Sequence, residues 1–401
     1  MQRKVLGLLL IAMGIVLMGC PDPAKSTNAD LSALTISSGT LTPAFDAAAT
    51  AYTASVDNAI TSVTVTGTAA DANASVSAPV ALSALVVGVA QTATITVTAQ
   101  SGATKAYTVA VSRTLLTMVT VPAGSFQRDG TITNISTITT AFRMSEKEIT
   151  MEQFVAVTGL ANPSTYFTSV VNGPVQMTNW YHALVFCNKL SMAEGLTPVY
   201  TISGSTVPDA WDGTTDGTIT VPLVSDSTWD AATANWSANG YRLPTEMEWM
   251  WAAMGATSGS GYASPIYLTG YGKLFAGSNA TNAAGDNGTN AIGDYAWYLA
   301  ISGGSIHPVG TTGTTGNANE LGLYDMSGNV FEWCWDWAGT YPTGTITSDS
   351  ADGRGAASAT WRVDRGGCWD YDASFCSVAS RLNINLPSAQ SNELGFRVVR
   401  L

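Results

Sequence analysis

The end of the chain, Trp361 to Leu401, constrains the fold most. Two short words, Arg365-Gly366-Gly367-Cys368-Trp369 and Leu394-Gly395-Phe396-Arg397, bracket a stretch rich in Asp, Ser, Tyr, Phe and Asn. Glycines set among aromatic and arginine side chains mark backbone packed too closely for a Cβ, so both words belong in a core. The residues between, Trp369 to Asn392, can then vary without disturbing that core. They mix aromatic anchors with adaptable hydrogen-bonding groups, the composition of a paratope.

The remainder must supply at least two cores, because 401 residues exceed what one ordinary core holds. Apolar residues make up 46% and charged residues only 11%, with Thr, Ser, Ala, Gly and Asn abundant, which favours a β-rich, loop-rich exported protein over a helical cytosolic one. The formal charge of -12, with no Lys/Arg run after Lys4, excludes nucleic acid as a partner. Divalent cations are the charged partner to look for.

Arg3 and Lys4 precede an apolar run from Val5 to Met18, and Gly19 precedes Cys20. A run this short ending in a small residue and a cysteine reads as an export signal rather than a membrane span. Pro21 to Asp30 reads as a flexible stalk. From Leu31 to Arg113, apolar residues alternate with Thr or Ser (Val63, Val65, Ile95, Val97, Val109, Val111), which predicts half-buried strands of a small sandwich. Ser101-Gly102-Ala103 is placed as a hairpin turn before a last strand at Tyr107–Val111. Three helices are expected later: after a capping box at Thr150 and Gln153, over Trp180–Met192 with Cys187 toward the core, and after a second box at Thr245 and Glu248. Thr201 to Asn239, with Trp211, Trp229 and Trp236, and Gly255 to Asn290 read as irregular insertions.

Several of these words resemble known families. Leu17-Met18-Gly19-Cys20 resembles a bacterial lipobox, implying lipidation at Cys20 and a lipid anchor in the membrane, with the outer membrane and cell surface as destination. Leu31 to Phe45 followed by Tyr52 resembles cadherin-like β-sandwich modules. Met118-Val119-Thr120-Val121-Pro122-Ala123-Gly124, Tyr241-Arg242-Leu243-Pro244-Thr245-Glu246, and Gly328-Asn329-Val330-Phe331-Glu332-Trp333 resemble the formylglycine-generating-enzyme (sulfatase-modifying factor) type of C-type-lectin fold, as do the two closing words. The resemblance implies an α+β domain from 117 to 401, preceded by the signal at 1–20, the stalk at 21–30 and the sandwich at 31–113.

It also implies a structural calcium ion, with Asp325, Gly328, Val330 and Glu332 matching the family's ligands. Two carboxylates in one short turn repel unless something positive lies between them. The enzyme naming the fold binds copper(I) through two cysteines, but Tyr371 stands at the first of these positions and only Cys376 at the second, so copper is not expected. Cys376 is read as a buried thiol or as paired with Cys368 or Cys334. Two histidines, His182 and His307, in no recognisable acid/base motif make zinc or catalytic roles improbable. The tryptophans at 333, 335, 337, 361 and 369 are read as core packing, with a stacking surface as the alternative.

The C-terminal words are also similar to those of variable proteins of diversity-generating retroelements, treponemal variable lipoproteins among them, in which the bracketed residues are diversified by adenine mutagenesis. Residues reachable from asparagine codons here are Cys368, Asp370, Tyr371, Asp372, Ser374, Phe375, Ser380, Leu382, Asn383, Ile384, Asn385 and Leu386, within a candidate variable region at 361–401. The expectation is an exported lipoprotein binding an extracellular protein or glycan through this face. The alternative is an oxidoreductase or protein-modifying enzyme related to formylglycine-generating enzyme.

Overall fold

The computed structural model describes residues 24–57, 60–86, 88–214, 216–257, 273–278, 291–313 and 316–401, without the side chains of 383 and 384. The whole signal reading at 1–20 with Cys20, the first three residues of the stalk, and residues 258–272 and 279–290 of the second insertion lie outside them. Among the described residues no helix is long and apolar enough to cross a membrane.

The chain divides into two compact units. The first is all β. Strands β1 (Leu31–Ile36), β4 (Val63–Ala69) and β6 (Val80–Leu82) form one sheet in the order β1-β4-β6. The second sheet orders β2 (Thr40–Thr42), β3 (Ala51–Val56), β5 (Ser75–Val76), β7 (Gln91–Thr98) and β8 (Thr104–Arg113) as β2-β3-β8-β7-β5. The alternation does what period two demands: Val63, Val65, Ile95, Val97, Val109 and Val111 are all buried, while the threonines between them face outward or lie half-buried. β7 and β8 pair antiparallel from Gln91↔Val111 to Thr98↔Thr104 around the turn at Gly102, which has φ +92°. A Cβ on Gly67 would meet Ile95 at 2.7 Å, so this strand needs glycine where the sheets approach.

Among its described residues the second unit mixes short sheets with four α-helices. β9 (Met118–Val121), β12 (Phe142–Ser145) and β20 (Val399–Arg400) form one sheet, in which Met144 pairs with Val399 and ties the end of the chain to the start of the domain. β10 (Gly124–Gln127), β11 (Ile135–Ile138) and β16 (Ile346–Thr347) form another. β13 (Tyr200–Thr201) pairs with β14 (Thr233–Ala234) at the base of the first insertion, where Trp211 and Trp229 are buried edge to face at 5.5 Å. The central sheet orders β15 (Phe331–Trp337), β17 (Arg362–Arg365), β18 (Leu382–Asn385) and β19 (Leu394–Gly395) as β18-β17-β15-β19. Both closing words therefore enter the same sheet, against the two edges of β15.

Helix α1 (Met151–Thr158) starts at the Thr150–Gln153 capping box, and α4 (Glu246–Ala253) at the Thr245–Glu248 box. In each, the cap hydroxyl accepts the third helical N–H while the third side chain accepts the cap N–H, satisfying two donors at once. α2 (Trp180–Ala193) is capped by Asn179 and is buried nearly all round, Cys187 with Ala183, Leu184 and Leu190 among the residues it turns into the core. A short α3 (Ser227–Asp230) lies in the insertion.

Successive β15 side chains serve different cores. Phe331 and Trp333 belong to the cluster built on α2, while Cys334 belongs to the cluster built on α4. Trp180 and Trp335 contact at 5.3 Å, and Tyr200 stacks on Trp335 at 5.1 Å, so these rings are packed against one another, Trp335 itself being half-buried. Trp361 is the exception, 42% exposed.

Candidate ligand-binding surface

The segment after β17 is held by buried charge. Arg365 has no exposed surface; its Nη1 donates to the carbonyls of Val378 (3.1 Å) and Ser380 (2.6 Å), and its Nη2 to Glu246 (2.5 Å). Arg381 places Nε and Nη2 on the two oxygens of Glu246 at 2.6 and 2.8 Å. Burial opposes ionisation of Glu246, but the two guanidiniums outweigh it and hold the carboxyl below its ordinary range. Thus the first residue of α4 fixes the path of the segment from beneath.

Glycine sets the ends. Gly366 and Gly367 have φ of +99° and +75°, and a Cβ on Gly367 would lie 2.6 Å from the Cys376 Sγ. A Cβ on Gly395 would lie 2.6 Å from the Val175 carbonyl oxygen. Further anchors follow: Trp369 N–H donates to Asn329 O (2.9 Å), Ser327 Oγ to Cys376 O (2.8 Å), Trp180 N–H to Pro387 O (2.9 Å), and Gln390 Nε2 to Met177 O (2.9 Å). A loop tied at so many points is a rigid scaffold for whatever its outward residues are.

The candidate contact residues separate into groups. Asp370, Asp372, Ser374 and Leu386 are exposed. Tyr371, Phe375, Ser380, Leu382 and Asn385 are half-buried. Tyr371 meets Phe331 edge to face at 5.3 Å and Phe375 at 5.1 Å, so the two aromatic candidates share one nest. Asn383 and Ile384 lie in β18, and their side chains fall outside the described residues.

Cys368 is a correction. It is fully buried in the α2 core, because the positive φ at Gly366 and Gly367 turns the chain inward before Trp369, and it cannot touch a ligand. The other cysteines, Cys187, Cys334 and Cys376, are likewise buried free thiols, so the disulfide alternatives for Cys376 are not formed. Burial pushes the Cys376 thiol up to about 12 and Cys368 well above the usual thiol range.

The residues implied for calcium lie around a buried ion pair, Glu332 with Arg397. Glu332 is fully buried with both oxygens engaged: Arg397 Nε and Nη2 donate to Oε2 and Oε1 at 2.6 and 2.6 Å, and Trp249 Nε1 donates to Oε2 at 2.7 Å. Asp325 accepts from Gly310 N–H at 2.6 Å through Oδ2 and leaves Oδ1 unpartnered. Val330 N–H donates to Glu148 at 3.1 Å, and Gly328 N–H to Gly366 O at 2.7 Å. Among the described residues no three His, Cys, Asp or Glu side chains converge to hold a metal. Of the implied ligands, Glu332 is thus already paired with Arg397, whereas Asp325 keeps one buried oxygen without a partner. The position of Arg397, far away in sequence, is what the reading of the turn lacked.

The histidines are satisfied. His182 caps α2 with Asn179 (Nδ1 to Oδ1 2.7 Å), and burial pushes it down to about 4. His307 pairs Nε2 with Ser302 O at 2.7 Å and stacks on Trp297.

With this geometry in hand, comparison with known proteins is direct. The sulfatase-modifying factor enzyme 1-like domain model matches residues 104–401. The chain belongs to that family. A cadherin-like β-sandwich domain model matches residues 31–114. Similar proteins include chaperone protein LppX of Paenibacillus barcinonensis, 30% identical over 71% of this chain and 89% of its own length. Formylglycine-generating enzyme of Streptomyces coelicolor is 34% identical over 44% of this chain, which spans about half (51%) of that enzyme. Among solved structures, Treponema denticola variable protein 1 is 33% identical with a TM-score of 0.57, over 71% of this chain and 95% of that one. The fold is thus α+β of the C-type-lectin-like, formylglycine-generating-enzyme type, preceded by an all-β cadherin-like module.

Sequence reading missed Glu246, Arg381, Asp364 and Glu148. Glu246 had a signal, a second carboxylate at the head of a capped helix that the capping box does not use. Asp364 had none, since β17 reads Arg362-Val363-Asp364-Arg365 and carries no apolar alternation that a carboxylate could interrupt.

Proposed function

We propose that the chain is an exported lipoprotein, anchored through Cys20 to the outer membrane and displayed at the cell surface. There it binds an extracellular protein or glycan through the face between Trp369 and Asn392. One observation carries the reading: this segment is pinned by Arg365, Arg381 and the three glycines while it presents Asp370, Asp372, Ser374 and Leu386 to solvent around the Tyr371–Phe375 pair. The likeness to Treponema denticola variable protein 1 and to a protein named LppX supports it. Retroelement diversification of 361–401 belongs to the same proposal. Copper-dependent oxidation of cysteine does not, since Tyr371 replaces one thiol and the buried Cys376 thiol is held far from ionisation.

The test has two arms. Radiolabelled palmitate should enter the protein expressed in a diderm host and be lost on Cys20→Ala; equal labelling of both would end the anchor reading. Cells displaying the parent chain should adhere to host-cell or matrix extracts that the Tyr371→Ala, Phe375→Ala double variant, displayed at equal level, does not bind. Equal adhesion would move the site elsewhere. A near-copy of the codons for Trp361–Leu401 beside a reverse-transcriptase gene is the expected genomic sign of diversification.

A further inference from the structure

Beneath the proposed surface lies a carboxylate with one oxygen unused. Asp364 sits in the middle of β17, opposite Trp333 of β15 and Leu382 of β18. Residues directly opposite across antiparallel strands share a face, so Asp364 points to the side that carries Phe331, Trp333 and Tyr371. It has no exposed surface. Its Oδ2 accepts from Asn385 Nδ2 at 2.5 Å, and its Oδ1 is buried without a partner. Native interiors rarely leave a charged-type acceptor unsatisfied, and a missing ligand group is one reason they do.

Arg365 acts on Asp364 from its own strand, but the charged groups toward the surface are acidic. Tyr371, Leu382 and Asn385 around Asp364 are only half-buried, and Asp370, Asp372 and Glu393 stand at the rim. Burial and then the charge of Asp370 raise the Glu393 carboxyl; burial raises the Tyr371 phenol, with Glu393, Asp364 and Asp370 adding to it. Acidic groups thus surround the half-buried Tyr371 ring, an arrangement that favours a cation there.

Building on the binding role proposed above, we infer that this surface recognises a protein partner through a lysine or arginine side chain that enters beside Tyr371 and pairs with Asp364. The ammonium or guanidinium supplies the donor Oδ1 lacks, the ring flanks the alkyl stem, and Asp370, Asp372 and Glu393 steer the approach.

The probe is a blocked hexalysine peptide, with blocked hexaglutamate and hexa-(acetyl-lysine) peptides as controls, titrated into the full chain at physiological salt. Hexalysine alone should bind saturably. Asp364→Asn keeps the shape and the Asn385 contact and removes the charge; it should weaken binding roughly tenfold or more while melting no lower than the parent. Non-specific attraction to an acidic chain would ignore a buried substitution, so equal binding by Asp364→Asn overturns the inference, as does no binding by the parent. Should Asp364→Asn fail to fold, the rim variant Asp370→Asn, Glu393→Gln, at one exposed and one half-buried residue, replaces it, with a several-fold loss expected and no change counting against. If Tyr371→Ala, Phe375→Ala abolishes cell adhesion while Asp364→Asn does not, the binding role stands and the cationic partner falls. If both variants adhere as the parent does, both fall.

Discussion

Arg397, from the last word of the chain, grips both oxygens of Glu332, the second residue of β15, with two bonds of 2.6 Å in a site with no solvent exposure. A bidentate pair of this kind is fixed in geometry, and removing one partner strands the other charge.

The first expectation follows from that pair. Arg397→Ala or Glu332→Ala should destabilise the domain by about 3–5 kcal/mol, and Arg397→Lys should rescue it poorly because an ammonium cannot reproduce the fork. Thermal melting of the parent should be the same in chelator and in excess calcium. Melting that rises with calcium and loses that rise in Asp325→Ala would show that an ion enters after all.

A second concerns pH. Burial, with Glu246 adding to it, pushes Asp336 up to about 8, and the carboxyl accepts the Glu246 N–H at 2.8 Å. Its folded pKa lies above the ordinary 3.8, so the folded state holds a proton that the unfolded state has released. Stability contributed by Asp336 is therefore full below about pH 4 and is lost as pH rises toward 8. Asp336→Asn should melt above the parent at pH 7–8, with an advantage that shrinks toward pH 4 by at most about 1.4 kcal/mol per unit. A difference independent of pH would refute the assignment.

The aromatic nest gives a third. Tyr371 rests edge-on against Phe331 and Phe375 and is half-buried, so Tyr371→Ala should cost about 1–2 kcal/mol, whereas Phe375→Ala should cost about 1 or less. Urea titration measures both. Unfolding of the double variant at room temperature would place these rings in the core and not on a binding face.

The thiols give the fourth. With Cys187, Cys334, Cys368 and Cys376 buried and Cys376 held up near 12, iodoacetamide at neutral pH should leave these four unmodified in the native chain and label them after denaturation. A copper-loaded sample should leave the mass of a cysteine-containing sulfatase peptide unchanged. Rapid native labelling of Cys376, or turnover of the peptide, would reopen the catalytic reading.

What the sequence determined was local. Period-two alternation placed β7 and β8, and reciprocal caps at Thr150–Gln153 and Thr245–Glu248 started α1 and α4, whereas the one-sided face read for α2 gave way to a helix buried nearly all round. Each signal is written in neighbours within one or two turns, where backbone geometry alone decides the outcome. Gly366, Gly367 and Gly395 were legible as close-packed backbone because nothing larger fits. The tertiary structure alone decided which charges meet. Glu332 waited for Arg397 and Glu246 for Arg365 and Arg381, while Asp364 was left with a free oxygen on the sheet face beneath Tyr371. It also took Cys368 out of the surface set, since the direction of one side chain after two left-handed glycines depends on the packing of the whole sheet. Partners of a buried charge are set by distance in space, and a carboxylate's role changes with whichever cation the fold brings to it.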